Sequence, residues 1–159
     1  MYKRQEPVDC SPDFPNTAPR GCSITTLTCG SIVEGNNDTE FYKFDGSFYV
    51  AKACTPEHHG YDKGPDAPYA LELPSNIWAD IHLVSDCADL DIFSATWDRP
   101  NQCPTPSHAI NQCEADVSRR GGKITITTVN KPEQHLVWVD GKYGATGNYR
   151  LEVKCREYR

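Results

Sequence analysis

Apolar and polar residues alternate with a period of two in short segments from about residue 22 to the end of the chain. The clearest segments are NIWADIHLVSD, DLDIFSATW, KITITTV, HLVWVDG and NYRLEVKC. In the first of them Ile77, Ala79 and Ile81 fall on one face, while Trp78 and Asp80 fall on the other. A period of two is that of a β-strand with one buried and one wet face. These segments therefore predict strands.

The strand-like segments recur roughly every 8–14 residues, and clusters of Gly, Asn, Asp and Pro separate them. No window keeps the apolar spacing of an amphipathic helix for three turns. Nine or ten short strands of this kind predict an all-β fold, an antiparallel β-sandwich. Residues 1–21 hold four prolines and show no strand pattern. They predict an N-terminal arm or linker, followed by the sandwich in residues 22–159.

Eight cysteines are scattered along the 159 residues. Their number is even and no Cys-x-x-Cys pair occurs, so the local signatures of zinc ribbons, dithiol redox sites and haem attachment are missing. Scattered cysteines in even number are typical of disulfides formed in an oxidising compartment. The sequence thus predicts four disulfides and an extracellular or cell-surface protein.

The formal net charge is −6, from 22 acidic and 16 basic residues. Nucleic-acid binding needs a concentrated basic face, which an acidic chain of this pattern does not offer. No apolar run approaches the roughly 18 residues of a membrane-spanning helix. The motifs of serine hydrolases, zinc proteases and phosphate-binding loops do not occur. We therefore predict no nucleic-acid partner, no membrane span, no catalytic residues and no enzymatic activity.

The first ten residues, MYKRQEPVDC, contain no apolar export signal, which is unexpected beside so many cysteines. Three interpretations are open. Lys3-Arg4 is a dibasic processing site, or the segment is a disordered tag, or residues 1–5 are the translation of a sequencing adapter joined to the end of a contig. We favour the third, since it explains both the abrupt start and the missing signal. Residues 1–5 would then be artefactual, and the natural chain would extend upstream.

Four motifs resemble the bacterial pre-peptidase C-terminal (PPC) domain family in its cysteine-rich form. They are Cys29-Gly30 before a strand, DLDIF at residues 89–93, the turn Val139-Asp140-Gly141, and a closing GNYRLEVKC at residues 147–155. Their order and spacing are similar to those of the family over residues 22–155. The chain departs from the family at Pro-Asp-Ala-Pro, residues 65–68, where a Pro-Glu is common.

The resemblance implies a jelly-roll-like sandwich of the kind attached to secreted hydrolases and bacterial cell-surface proteins. Domains of this family are not enzymes. An accessory role in binding, stabilisation or assembly is therefore the expectation that the resemblance brings.

Disulfide pairing is predicted in part from strand order. Antiparallel first and last strands would place Cys29 beside Cys155, and Cys103 with Cys113 is the easiest local pair because both lie in one loop. That leaves Cys54 with Cys87 and Cys10 with Cys22, two assignments made by elimination.

A calcium site is the chemical hypothesis that the acidic residues favour. Asp89 and Asp91 are two apart in a strand, so their carboxylates would project from one face. Asp140 lies in a turn, where a backbone carbonyl can add to the ligands. Six to eight oxygens from carboxylates, carbonyls and water suit Ca²⁺. The alternative is that these aspartates accept hydrogen bonds from neighbouring loop amides.

Candidate surface residues are fewer. Trp97, beside a proline-containing loop, and Tyr143 are predicted to bind a ligand. Asn37 begins an Asn-Asp-Thr sequon in a predicted turn and is a candidate glycosylation site.

These features predict a non-catalytic extracellular module for binding or assembly, whose partner is a protein or polysaccharide surface or other copies of the chain. Two versions remain open. One is an accessory domain of a secreted hydrolase that binds matrix or polysaccharide. The other is a self-assembling filament or surface-layer subunit, whose proline-rich arm adds to the sheet of a neighbouring copy.

Overall fold

The computed structural model describes residues 7–11, 14, 25–38, 67–96, 114–116 and 121–157. Nine strands lie in these ranges: β1 (Thr25–Leu27), β2 (Ile32–Asn36), β3 (Ala67–Leu73), β4 (Ile77–Val84), β5 (Leu90–Thr96), β6 (Glu114–Asp116), β7 (Gly121–Thr128), β8 (Glu133–Gly141) and β9 (Asn148–Glu157). A 3₁₀ turn at Lys142–Gly144 is the only helical element within them. None of the described residues forms a helix long and apolar enough to cross a membrane.

The strands form two sheets, which confirms the predicted all-β sandwich. The five-stranded sheet has the order β1-β3-β8-β5-β6, and the four-stranded sheet has the order β2-β9-β4-β7. Strands β1 and β3 pair in parallel, whereas the other pairs are antiparallel. Strands that are distant in sequence, such as β2 and β9, are therefore neighbours in space.

The core lies between the two sheets and is built by alternate residues of each strand. In β4 the buried residues are Ile77, Ala79, Ile81 and Leu83, as their alternation in the sequence predicts. In β9 Tyr149, Leu151 and Val153 are buried on the facing sheet surface. The period of two thus identified the core face of the four-stranded sheet correctly.

The five-stranded sheet is buried on both faces along β5 and β8. Val137 and Val139 of β8 face the core between the sheets. The residue between them, Trp138, is also fully buried, and its ring stacks on that of Phe93 with the centroids 5.4 Å apart. Strand alternation puts Trp138 and Phe93 on the face that points away from the core. Strand β8 is therefore buried along six consecutive residues after His135.

The predicted disulfide between Cys29 and Cys155 is confirmed. It joins the turn between β1 and β2 to the last strand. Gly30 donates its N–H to the Val153 carbonyl, and Val153 donates its own N–H to Ser31, so this turn lies directly along β9. Gly30 has a φ of 89°, a left-handed conformation that glycine adopts without strain.

The predicted pairs Cys10–Cys22 and Cys54–Cys87 are wrong, because Cys10 is bonded to Cys87. Both pairs had been assigned by elimination. Val8 of the arm is buried and donates its N–H to Asp86, in the turn before Cys87. The arm therefore lies on the β4–β5 turn, next to its disulfide partner. The predicted pair Cys103–Cys113, with Cys22 and Cys54, lies outside the described residues.

Candidate functional site

Two of the predicted calcium ligands, Asp91 and Asp140, lie directly opposite each other. They are register partners in the pairing of β5 with β8, and both side chains are fully buried. Opposite residues of an antiparallel pair have their Cβ atoms about 4.5–5.5 Å apart. Two carboxylates this close, away from water, either share a proton or need a positive charge beside them. The sheet register thus creates a concentrated acidic position.

Asp140 is held by the turn that follows it. Its Oδ1 accepts a hydrogen bond from the Gly141 N–H at 2.7 Å. A Cβ at Gly141 would lie 1.9 Å from the Ala145 carbonyl oxygen, so only glycine allows the chain to turn back this closely. The Val-Asp-Gly motif in the sequence therefore has a steric cause.

Asp89 does not join the pair as a third strand residue. It lies one residue before β5, in a tight turn in which the Leu90 N–H donates to the Ala88 carbonyl. Across the described part of the chain, no three His, Cys, Asp or Glu side chains form a group that could hold a metal ion. The structure thus brings together two of the three predicted ligands.

Buried asparagines connect three segments at the same end of the sandwich. Asn148 Oδ1 accepts hydrogen bonds from Asn36 Nδ2 and from the Phe14 N–H, and Asn148 Nδ2 donates to the Asp9 carbonyl. This side chain therefore joins β2, β9 and the N-terminal arm. Sequence reasoning missed it, although Asn36 and Asn148 lie at the ends of two recognised strands.

The predicted glycosylation at Asn37 does not fit the folded sandwich. Asn37 is fully buried, its Nδ2 donates to the Ala145 carbonyl, and its Oδ1 accepts from the Gly147 N–H. A glycan on Nδ2 would break the first contact and has no room at this position. The Asn37 side chain has a structural role instead, because these two hydrogen bonds stabilise the connection between β8 and β9.

The outer face of the four-stranded sheet is mostly polar and carries two exposed apolar side chains, Ile32 and Trp78. Trp78 is 38% exposed, and the Arg156 guanidinium lies over its ring, 4.4 Å from the centroid. The two are register partners on β4 and β9. Thr127 is opposite Trp78 on its other side. The alternation of NIWADIH already pointed Trp78 outward, so the sequence contained the signal for this position.

Polar groups continue along the same face. Thr125 donates a hydrogen bond to Asp80 at 2.7 Å. His82, next on β4, is half-buried, and the pKa of its imidazole is lowered, first by burial and then by the nearby Lys154 ammonium. At neutral pH the His82 ring is therefore neutral, and this face carries both hydrogen-bond donors and hydrogen-bond acceptors.

The two predicted surface residues differ in outcome. Tyr143 is 72% exposed in the turn after β8, where its φ of 53° is left-handed. A non-glycine residue in this conformation is uncommon and adds local strain. Trp97 lies outside the described residues.

These observations define the class of the protein as a two-sheet β-sandwich, with two disulfides among its described residues. A similar solved structure is the pre-peptidase C-terminal domain of collagenase from Bacillus anthracis, at 10% sequence identity and a TM-score of 0.45. The match covers 86% of this chain and 99% of that one. No protein-family model and no curated protein matches the chain. The likeness of the sequence motifs to the PPC family stays a resemblance.

Proposed function

We propose that this sandwich is a non-catalytic extracellular module that binds polysaccharide at Trp78. The observation that carries the proposal is the exposed indole on the outer sheet face, with the Arg156 guanidinium over its ring. The disulfides Cys10–Cys87 and Cys29–Cys155 support an extracellular location, since such bonds persist in oxidising compartments.

The side chains around Trp78 are of the kinds that bind a sugar chain. An aromatic ring offers a flat apolar surface to the C–H groups of a pyranose ring, while its polar neighbours bind the hydroxyl groups. The guanidinium restrains the indole, because a cation over a tryptophan ring contributes about 0.5–1 kcal/mol at exposed sites. Thr127 and Asp80 flank Trp78 on the same face and provide hydroxyl and carboxylate oxygens.

Binding to insoluble peptidoglycan, cellulose and chitin tests the proposal. We expect the protein to sediment with at least one of these polymers, and Trp78→Ala to weaken that binding about tenfold, the loss of one well-packed aromatic contact. Trp78→Tyr should retain most of it. Ile32→Ala is the matched control, since it removes another exposed large apolar side chain from the same sheet. Equal binding by Trp78→Ala and the parent, or no binding to any of the polymers, would contradict the proposal.

Self-assembly through the N-terminal arm is the alternative function. The described part of the arm lies on its own sandwich, where Cys10 is bonded to Cys87 and Val8 is buried. Donation of this segment to another copy would first have to release it, which makes binding the better-supported function. Light scattering separates the two, because an assembling subunit would grow in mass with concentration.

Calcium binding at Asp91 and Asp140 is a further part of the proposal. A divalent cation would compensate two buried carboxylates that face each other across β5 and β8. We expect a chelator to lower the melting temperature and added Ca²⁺ to restore it. Asp91→Asn should abolish this response, whereas Asp80→Asn, on the outer face of the other sheet, should keep it. An unchanged melting temperature with chelator would remove calcium from the proposal.

A further inference from the structure

The positive charge of Arg156 is not balanced by an acidic neighbour on the outer face of the four-stranded sheet. The charged residues of this face are the bases Lys123, Arg150, Lys154 and Arg156 and the acids Glu34, Asp80 and Glu152. Each of the acids lies beside a base other than Arg156. Glu34 is opposite Arg150, Asp80 is opposite Lys154, and Glu152 Oε1 lies 3.9 Å from Lys154 Nζ.

The register partner of Arg156 is an uncharged residue, Trp78. The next residue along the chain, Glu157, is opposite the buried Ile77, so strand alternation directs it to the other face of the sheet. The Trp78 end of the outer face therefore carries a positive charge, although the chain as a whole is acidic, with a net charge of −6.

The guanidinium of Arg156 also has hydrogen-bond donors to offer. It lies over the Trp78 ring, 4.4 Å from the centroid, and it forms no hydrogen bond or ion pair with any residue that the structure describes. A guanidinium carries five N–H donors, and an aromatic ring beside it provides no oxygen acceptors for them. Arg156 is exposed, so these donors are available to a ligand that lies against the indole.

A carboxylate matches this group best. Its two oxygens accept parallel hydrogen bonds from a guanidinium, and such charge-assisted bonds are about twice as strong as neutral ones. The contact with Trp78 restrains the Arg156 side chain, so less side-chain freedom is lost when a ligand binds. Lys154, two residues earlier on the same face, adds a second exposed positive charge nearby.

We propose that the sugar polymer bound at Trp78 is acidic, and that Arg156 binds a carboxylate carried by its sugar rings, as in a uronic acid. This inference rests on the polysaccharide function proposed above and names the class of polymer. The indole contacts the apolar side of the sugar, the guanidinium binds its carboxylate, and Thr127, opposite Trp78 on the next strand, is placed to bind a hydroxyl group. Since an acidic protein repels a polyanion elsewhere on its surface, binding would be confined to this local basic position.

Cellulose and cellulose oxidised at C6 to the carboxylate form a matched pair of polymers, because they differ in the charged group alone. In sedimentation assays we expect the folded, disulfide-bonded protein to bind the oxidised polymer about tenfold more tightly, as for one charge-assisted pair. The preference should shrink as the salt concentration rises. Equal binding to both polymers would overturn the inference and leave the polysaccharide function intact. Binding to neither would also overturn it, while binding to chitin or peptidoglycan would still support the polysaccharide function.

Variants separate the charge contact from the sugar contact. Arg156→Gln should reduce the preference for the oxidised polymer to about one and weaken binding to plain cellulose much less. Arg156→Lys keeps the charge without the planar donor group and should retain only part of the preference. Trp78→Ala should weaken binding to both polymers. Lys123→Gln removes a positive charge elsewhere on the same face and is the matched control, which should keep the preference.

Competition identifies the source of the carboxylate. Polyglutamate carries carboxylates without sugar rings and should displace the protein from oxidised cellulose poorly. Displacement by polyglutamate as effective as that by soluble oxidised cellulose would assign the site to an acidic peptide instead. A preference for the oxidised polymer that persists in Arg156→Gln would refute the role of Arg156, whatever the result with Trp78→Ala.

Discussion

The side-chain hydroxyl groups of Tyr69 and Tyr149 are hydrogen-bonded to each other across the core. Tyr69 belongs to the five-stranded sheet and Tyr149 to the four-stranded sheet, and both are fully buried. This polar contact between the sheets lies inside an otherwise apolar cluster. A buried hydrogen bond fixes which residues face each other more strictly than apolar packing does.

A double-mutant cycle measures this contact. We expect Tyr149→Phe to lower the free energy of unfolding by about 1–3 kcal/mol, because the change leaves the Tyr69 hydroxyl without this bond in a dry core. Tyr69→Phe/Tyr149→Phe should cost less than the sum of the two single changes. Additive costs in urea denaturation would show that the hydroxyl groups do not interact.

Removal of either disulfide should destabilise the protein, but the part of the chain that becomes mobile should differ between them. Cys29 and Cys155 are 126 residues apart and Cys10 and Cys87 are 77 apart, so loop entropy predicts about 4–5 kcal/mol for each. Loss of Cys10–Cys87 should also free the arm. In Cys10→Ala/Cys87→Ala the Phe14 amide, which donates to Asn148, should exchange its hydrogen faster than the core amides of β9. Exchange that rises equally in the arm and in β9 would contradict this order.

Substitution of Asn148 should lower the stability of the protein more than substitution of the other polar residues that contact the N-terminal arm. Asn148→Ala removes its bonds to Asn36, Phe14 and Asp9, and about 2–4 kcal/mol of stability should be lost with them. Asn148→Asp keeps an acceptor but loses the donor to Asp9 and adds a buried charge, so it should not rescue the protein. Thermal unfolding checks both. Asn130→Gly, at an exposed turn whose φ of 66° suits glycine, is the control and should change little.

Stability should fall on mild acidification. Burial lowers the pKa of His135 below its ordinary value of 6.5. Above that value the ring is neutral in both states and has no effect. Below it the unfolded chain takes up a proton that the folded chain resists, so folding loses free energy until the folded-state pKa is reached. The melting temperature should therefore drop as the pH falls below about 6.5.

Substitution assigns this drop. His135→Gln should flatten the pH dependence, while His82→Gln should flatten it less, because His82 is the more exposed of the two histidines. A drop that is unchanged in His135→Gln would show that another group is responsible.

The alternation along β4 and β9 identified their core faces because the outer face of the four-stranded sheet is wet. The same reasoning had to fail for β8, since Leu136, Trp138 and Asp140 are buried on its second face as well. A period of two cannot distinguish a wet face from a second covered one. Residue spacing also found Cys29–Cys155, which joins segments that strand order brings together. It missed Cys10–Cys87, because proline-rich sequence does not indicate which surface an arm contacts.

The pairing of Asp91 with Asp140 was also beyond the sequence. Each aspartate was recognised from its motif, but only the register of β5 on β8 sets them opposite each other. A shift of one residue would have turned one carboxylate to the other face.

The Cys29–Cys155 bond also decides how the domain responds to pulling. Tension applied at Cys10 and at Cys155 follows the shortest covalent path, which runs along the 19 residues from Cys10 to Cys29 and then through the disulfide. That path extends to roughly 65 Å at 3.3–3.6 Å per residue. Strands β2 to β8 are enclosed by the bond and carry no force. After its loss the path passes through Cys10–Cys87 and the 68 residues from Cys87 to Cys155, roughly 230 Å. With this bond intact the domain is thus a nearly inextensible link, and loss of this one bond would turn it into a long tether.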